Sequence, residues 1–355
     1  MTRKYQLDWL RVLAFALLIP FHVGMLYVSW AYPLKSPRLI PGLEWGMLLL
    51  TPWRMALVFV ISGVASRHLI GKLGAGRFAA DRLRRLLPVI LVGMLVINAP
   101  QSWVEAVAHG TTHLGFLDYW PSYLKKPRWD HLWFLAYLLP YGLLFALAWK
   151  LRAKTPSVAL AWLLLAPAVW LAATGMLADK VWPRTDALVN DWGQHLKWLG
   201  LFGFGAAVAM RADFWDWILR RRRLLLAVAI VLGTALLADH ALWLRGALKP
   251  PLDWTSYDIL SGLFGWAALL AICGYAARYL NRPSALLSYA NTAILPVYVL
   301  HQPILIAAAW LLFPHALPLP LEAALLAAVT AILSVGIYHL MIRPFGVMRL
   351  LFGLK

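Results

Sequence analysis

Arg11 and His22 stand eleven positions apart inside one apolar run, residues 7–30. On an α-helix, eleven steps of ~100° return almost to the starting angle, so both side chains are expected on one face. A rise of ~1.5 Å per residue separates them by ~16 Å along that face. A guanidinium at the entry of a membrane helix suits phosphate oxygens. An imidazole of unperturbed pKa near ~6.5 can accept a hydroxyl proton at neutral pH. A charge at the bilayer centre costs roughly 2.5–3.5 kcal/mol on insertion scales, so the pair should turn away from lipid and line a shaft reaching inward.

Other polar groups fall at matching depths. His22 is expected ~20 Å and His301 ~21 Å above the inner surface of a ~30 Å core, with Arg54 ~13 Å below the outer surface. These three are the candidate catalytic groups: His22 as general base, and Arg54 or His301 to stabilise a developing oxyanion or orient His22. His131 opens the fourth expected helix at the outer surface. With Trp129 and Trp133 it is placed to meet an acceptor from outside. On the inner side, Arg11 (three residues after Asp8), Arg82 and Arg85 could hold a ligand with several phosphates. Plainer readings stand beside these. The Arg82-Leu83-Arg84-Arg85 run also serves as a positive-inside signal, and Arg11 can snorkel. His301 can satisfy backbone freed by Pro303. Ser62-Gly63 also reads as close helix packing by small residues.

Such groups need apolar scaffolding, and the composition supplies it. Of 355 residues, 62% are hydrophobic and 14% charged, with mean hydropathy +0.70. Soluble domains carry nearly twice that share of charge. The expected fold is therefore an all-α polytopic membrane protein, a single domain over 1–355. Ten spans are expected at 9–30, 45–66, 86–107, 131–150, 157–177, 192–210, 224–244, 255–277, 287–312 and 320–342. Lys and Arg concentrate in alternate loops, richest in 67–85 and 220–223, which predicts cytoplasmic termini. The net charge of +18 is spread between apolar segments, which suits membrane lipid and argues against nucleic acid. Cys273 is the sole cysteine, excluding an intrachain disulfide and a Cys-based zinc site. No metal and no permanently bound cofactor is expected. The first apolar run reads as an uncleaved anchor.

The stretch Arg11 to His22, R-V-L-A-F-A-L-L-I-P-F-H, resembles the R-x10-H signature of the acyltransferase-3 family of integral-membrane acyltransferases. Phe59-Val60-Ile61-Ser62-Gly63 is similar to that family's F-F-x-x-S-G stretch, with Val60 replacing an aromatic, and Arg82-x-x-Arg85 to its R-x-x-R. His131-Leu132-Trp133-Phe134-Leu135 and Tyr298-Val299-Leu300-His301-Gln302 resemble a subgroup that includes the succinyltransferase of osmoregulated periplasmic glucans. Asn291-Thr292 stand where that subgroup often has a carboxylate. The resemblance covers essentially the whole chain. It implies ten helices in a bacterial inner membrane and transfer of an acyl group, acetyl or succinyl. The donor would be cytoplasmic acyl-CoA and the acceptor a hydroxyl of an extracytoplasmic carbohydrate. A polytopic transporter or flippase with an Arg/His-lined path is the alternative.

Overall fold

The structure is a computed structural model that describes residues 4–151, 158–248 and 252–354. Among these residues there is no strand, and most of them are helical. In chain order the helices are α1 (Tyr5–Ala16), α2 (Leu18–Tyr27), α3 (Leu43–Leu73), α4 (Ala75–Val92), α5 (Asn98–Ala108), α6 (Phe116–Tyr123) and α7 (Trp133–Leu151). They continue as α8 (Leu160–Lys180), α9 (Trp192–Val208), α10 (Ala212–Leu244), α11 (Leu252–Tyr279), α12 (Ala285–Leu312), α13 (Leu319–Ile337) and α14 (Gly346–Leu351).

Among the described residues, nine helical stretches are long and apolar enough to cross a membrane. The sixth expected span, 192–210, folds as α9, whose 17 residues reach ~25 Å, short of a ~30 Å core. Several boundaries also differ: the spans expected at 45–66 and 224–244 run Leu43–Leu73 and Ala212–Leu244. The first span is Tyr5–Tyr27 and the third Ala75–Ala108, against 9–30 and 86–107 expected. Proline and π turns explain their interior breaks. Pro20 has no N–H for the carbonyl of Ala16, so α1 stops there and α2 begins at Leu18. A π turn at Gly93–Ile97 joins α4 to α5.

The chain divides into two compact units. The first comprises Met1–Ala14, Leu48–Ala79 and Pro140–Ser284. In it α11 packs against α8 and α10, and α8 against α9. Helix α3 approaches α9 backbone to backbone. A Cβ on Gly63 would stand 1.9 Å from the Phe202 carbonyl oxygen, and one on Gly205 2.0 Å from that of Val60. Lipid offers no hydrophobic drive between helices, so such dispersion-rich close approach supplies the packing energy. The small-residue reading of Gly63 holds. Beside the contact, Phe59 stacks on Trp198 at 5.0 Å.

The second unit comprises Phe15–Met47, Ala80–Leu139 and Ala285–Lys355. Here α12 packs against α2, α5 and α13 around Leu26, Tyr27, Val104, Leu305, Ile306 and Leu326. A buried carboxylate ties the loop after α2 to this core. Glu322 of α13 accepts hydrogen bonds from Tyr27 Oη and Arg38 Nη2, both at 2.9 Å. Glu322 is fully buried while Arg38 stays partly exposed, so the tie anchors the loop through the carboxylate's hydrogen bonds. Lys35 closes the C-terminal end of α2, donating Nζ–H to the carbonyls of Met25 at 2.5 Å and of Val28. Burial lowers the Lys35 pKa from its ordinary value, against the opposing pull of Glu44. The loop that carries Tyr32 is thereby fixed from both ends.

Candidate active site

Three imidazoles from three elements of the second unit meet. His22 (α2) and His301 (α12) have ring centroids 5.2 Å apart, and His301 and His131 are 5.3 Å apart. His131 sits in a 3₁₀ turn, Asp130–Leu132, just before α7. His301 is 1% exposed and His131 6%, so two polar rings are held almost wholly out of solvent. The similar depths expected for His22 and His301 are matched by this contact. His131 is a neighbour of His301. Among the described residues, no group of three or more His, Cys, Asp or Glu side chains is placed to hold a metal ion.

Proline explains how this cluster is built. Pro303 cannot donate to the carbonyl of Val299, four residues earlier, so that oxygen is open to another donor. His131 Nε2 lies 3.0 Å from it. A carbonyl oxygen only accepts, so Nε2 carries the proton and Nδ1 of a neutral His131 keeps its lone pair. Nδ1 has no hydrogen-bond partner among the described residues. In return, Tyr298 Oη donates to the backbone carbonyl of His131. The expectation that His301 itself satisfies the carbonyl freed by Pro303 is corrected: His131 does so.

The same logic assigns His301. Its Nδ1 lies 2.5 Å from the Tyr298 carbonyl, so Nδ1 donates and Nε2 carries the lone pair of a neutral ring. His22 Nδ1 is 3.1 Å from Tyr32 Oη, and the two rings stack at 5.6 Å and 25°. Aromatic edges close the remaining side. Phe15 meets Tyr298 at 5.2 Å and Phe134 at 6.0 Å. On α5, Asn98 and Gln101 are fully buried; Gln101 Oε1 accepts a long 3.4 Å bond from Gln302, and Asn98 donates to the carbonyls of Arg128 and Trp129. Trp129 thus contributes its backbone to the site's frame, and Trp133 packs edge-on against Tyr137 at 5.8 Å.

The remaining candidates divide between the units. Arg82 and Arg85 belong to the second. Arg82 Nη2 stands 3.9 Å from Asp81 Oδ2, and Arg85 Nε donates to the Gly353 carbonyl at 3.1 Å. Both guanidiniums are already engaged in part, so fewer of their N–H groups face a ligand than the bare motif suggests. Arg54, 6% exposed, and Arg11 belong to the first unit. Arg11 pairs with Asp8 at 3.3 Å, the i to i+3 contact expected of them. It also lines a cavity of about 740 Å³ with Lys4, Asp8, His68 and Lys72. Burial lowers the pKa of Lys4 to about 8, against the pull of Asp216.

Sequence reasoning missed Tyr32, the buried amides of α5, and the basic partners of Arg11. Lys4 and Lys72 look like ordinary positive-inside residues, and only folding shows that they share a cavity. Tyr298 was within reach, since it lies three residues before His301 on the same helical face.

No curated protein and no solved structure matches the chain. The sequence profile of an acyltransferase domain family matches residues 4–339. With its long apolar helices and buried imidazole cluster, the chain belongs to that family, and it is a membrane acyltransferase.

Proposed function

We propose that this chain transfers an acyl group, acetyl or succinyl, from cytoplasmic acyl-CoA to a hydroxyl of an extracytoplasmic carbohydrate, with His22 as general base. The observation that carries the reading is the run of ring contacts from the half-buried His22 to the buried His301, and from His301 to His131, in a member of an acyltransferase family. In this reaction His22 takes the proton of the acceptor hydroxyl as its oxygen attacks the thioester carbonyl. The tetrahedral intermediate collapses with cleavage of the C–S bond. The departing thiolate receives that proton, leaving free CoA and an ester. His301 Nε2, a lone-pair nitrogen, is suited to stabilise the imidazolium formed on His22. Arg54 is the proposed oxyanion-stabilising cation.

For the donor, Arg11 with Lys4 and Lys72 is suited to the phosphates of CoA, and Arg82 and Arg85 are further proposed phosphate contacts. His131, Trp129 and Trp133 are the proposed acceptor contacts, aromatic faces being common platforms for apolar sugar faces. The subgroup resemblance supports a glycan acceptor and a bacterial inner membrane. Alternation of basic loops supports cytoplasmic termini. Nothing favours the transporter alternative over the enzyme. Purified protein should release CoA thiol from acyl-CoA when a periplasmic glucan is present. Replacing Arg82 and Arg85 together by Ala should raise the KM for acyl-CoA with little change in kcat. A change confined to expression or topology would assign that pair to membrane orientation alone.

A further inference from the structure

A second basic cavity lies in the second unit, apart from the histidine cluster. It encloses about 440 Å³ and is lined by Arg343, Arg349, Ser288, Tyr289, Thr292 and Tyr338. Arg343 sits 5.7 Å over the Tyr289 ring, a cation–π contact that orients the guanidinium and leaves its N–H groups available. Among the described residues neither arginine pairs with a carboxylate, and no acidic side chain lines the cavity. Four hydroxyl-bearing side chains share its wall. Thr292 Oγ1 already donates to the Ser288 carbonyl and Tyr289 Oη meets His339 Nδ1, so the two guanidiniums without a carboxylate carry the chemistry of a phosphate receptor. The wall itself is fixed, because the Arg85 bond to Gly353 holds the chain next to Leu354, which lines the cavity.

The surroundings identify the source of the phosphate. Leu340, Met341, Phe345, Val347 and Leu350 flank the two arginines and are 53–73% exposed. A soluble anion has no use for that apolar border, whereas a phospholipid lays its acyl chains against it while its headgroup enters the cavity. We propose that this cavity binds the phosphodiester headgroup of an anionic phospholipid. The cavity adjoins Arg85, a proposed donor contact, through Gly353 and Leu354, but none of its lining residues has a role in the proposed reaction.

Native mass spectrometry of the full chain tests this, with phosphatidylglycerol and phosphatidylcholine offered in equal amounts. The wild-type chain should retain phosphatidylglycerol in preference; equal retention of both overturns the proposal without recourse to any variant. Arg343→Gln with Arg349→Gln should weaken phosphatidylglycerol retention roughly tenfold or more. The doubly charge-preserving Arg343→Lys with Arg349→Lys should retain much of it. Undiminished retention in the Gln variant, at an unchanged melting temperature, contradicts the assignment. In a third arm 3′,5′-ADP replaces the lipid. If it binds the wild type, fails to bind the Gln variant, and phosphatidylglycerol binds both alike, the cavity serves a soluble phosphate and the lipid assignment falls.

Discussion

At the scale of single residues, the site depends on which imidazole nitrogen holds a proton. Backbone carbonyls settle this for His131 and His301, while His22 depends on Tyr32, whose hydroxyl both donates and accepts. Tyr32→Phe keeps the stacked ring and deletes the hydrogen bond, worth about 0.5–1.5 kcal/mol. We expect kcat to fall roughly threefold to tenfold with KM for donor unchanged, and the acidic limb of the pH–rate profile to move. A KM effect alone would make Tyr32 a substrate contact. Lys4 gives a second residue-level expectation. Its pKa of about 8 means its charge is present below that pH and is lost as pH rises through it. If the cavity holds donor phosphates, KM for acyl-CoA should climb above pH ~8. Lys4→Arg, charged throughout, should flatten that climb; an unaltered profile would exclude Lys4 from donor binding.

At the scale of elements, proline and glycine govern geometry more than hydropathy does. The apolar runs made the long helices legible, because a chain in lipid must satisfy its backbone within helices. They could not reveal that Pro303 opens the Val299 carbonyl to a histidine 168 residues away. That contact is non-local and has no periodicity. Pro303→Ala restores a donor to that carbonyl in competition with His131. Folding stability should hold or rise while transfer falls about tenfold, a divergence visible by comparing melting temperature with CoA release. Loss of both together would mean that Pro303 serves only packing. Gly63→Leu is expected to have the opposite character. With 1.9 Å to the Phe202 oxygen, α3 and α9 must separate, and folded yield in detergent should collapse.

At the scale of the whole molecule, depth arithmetic found the histidines because a helix rises at a fixed rate, so sequence position converts to height. It found no lateral neighbours. Tyr32 was invisible because it lies on a loop, where neither 3.6-residue spacing nor depth applies. The partition into two units was equally hidden: its boundary cuts α1 between Ala14 and Phe15, inside a continuous apolar run. The proposed orientation is measurable, since Cys273 is the sole cysteine. In a Cys273→Ala background, Arg84→Cys should react with impermeant maleimide only from the cytoplasmic side and His113→Cys only from outside. The reverse pattern would invert the topology and with it the direction of acyl transfer.

The most direct measurement is CoA thiol release by purified His22→Gln protein supplied with acyl-CoA and a glucan acceptor. The proposed role as general base requires turnover to fall by ~10²–10⁴-fold while the protein stays folded and still binds donor. Turnover at the wild-type rate would contradict it.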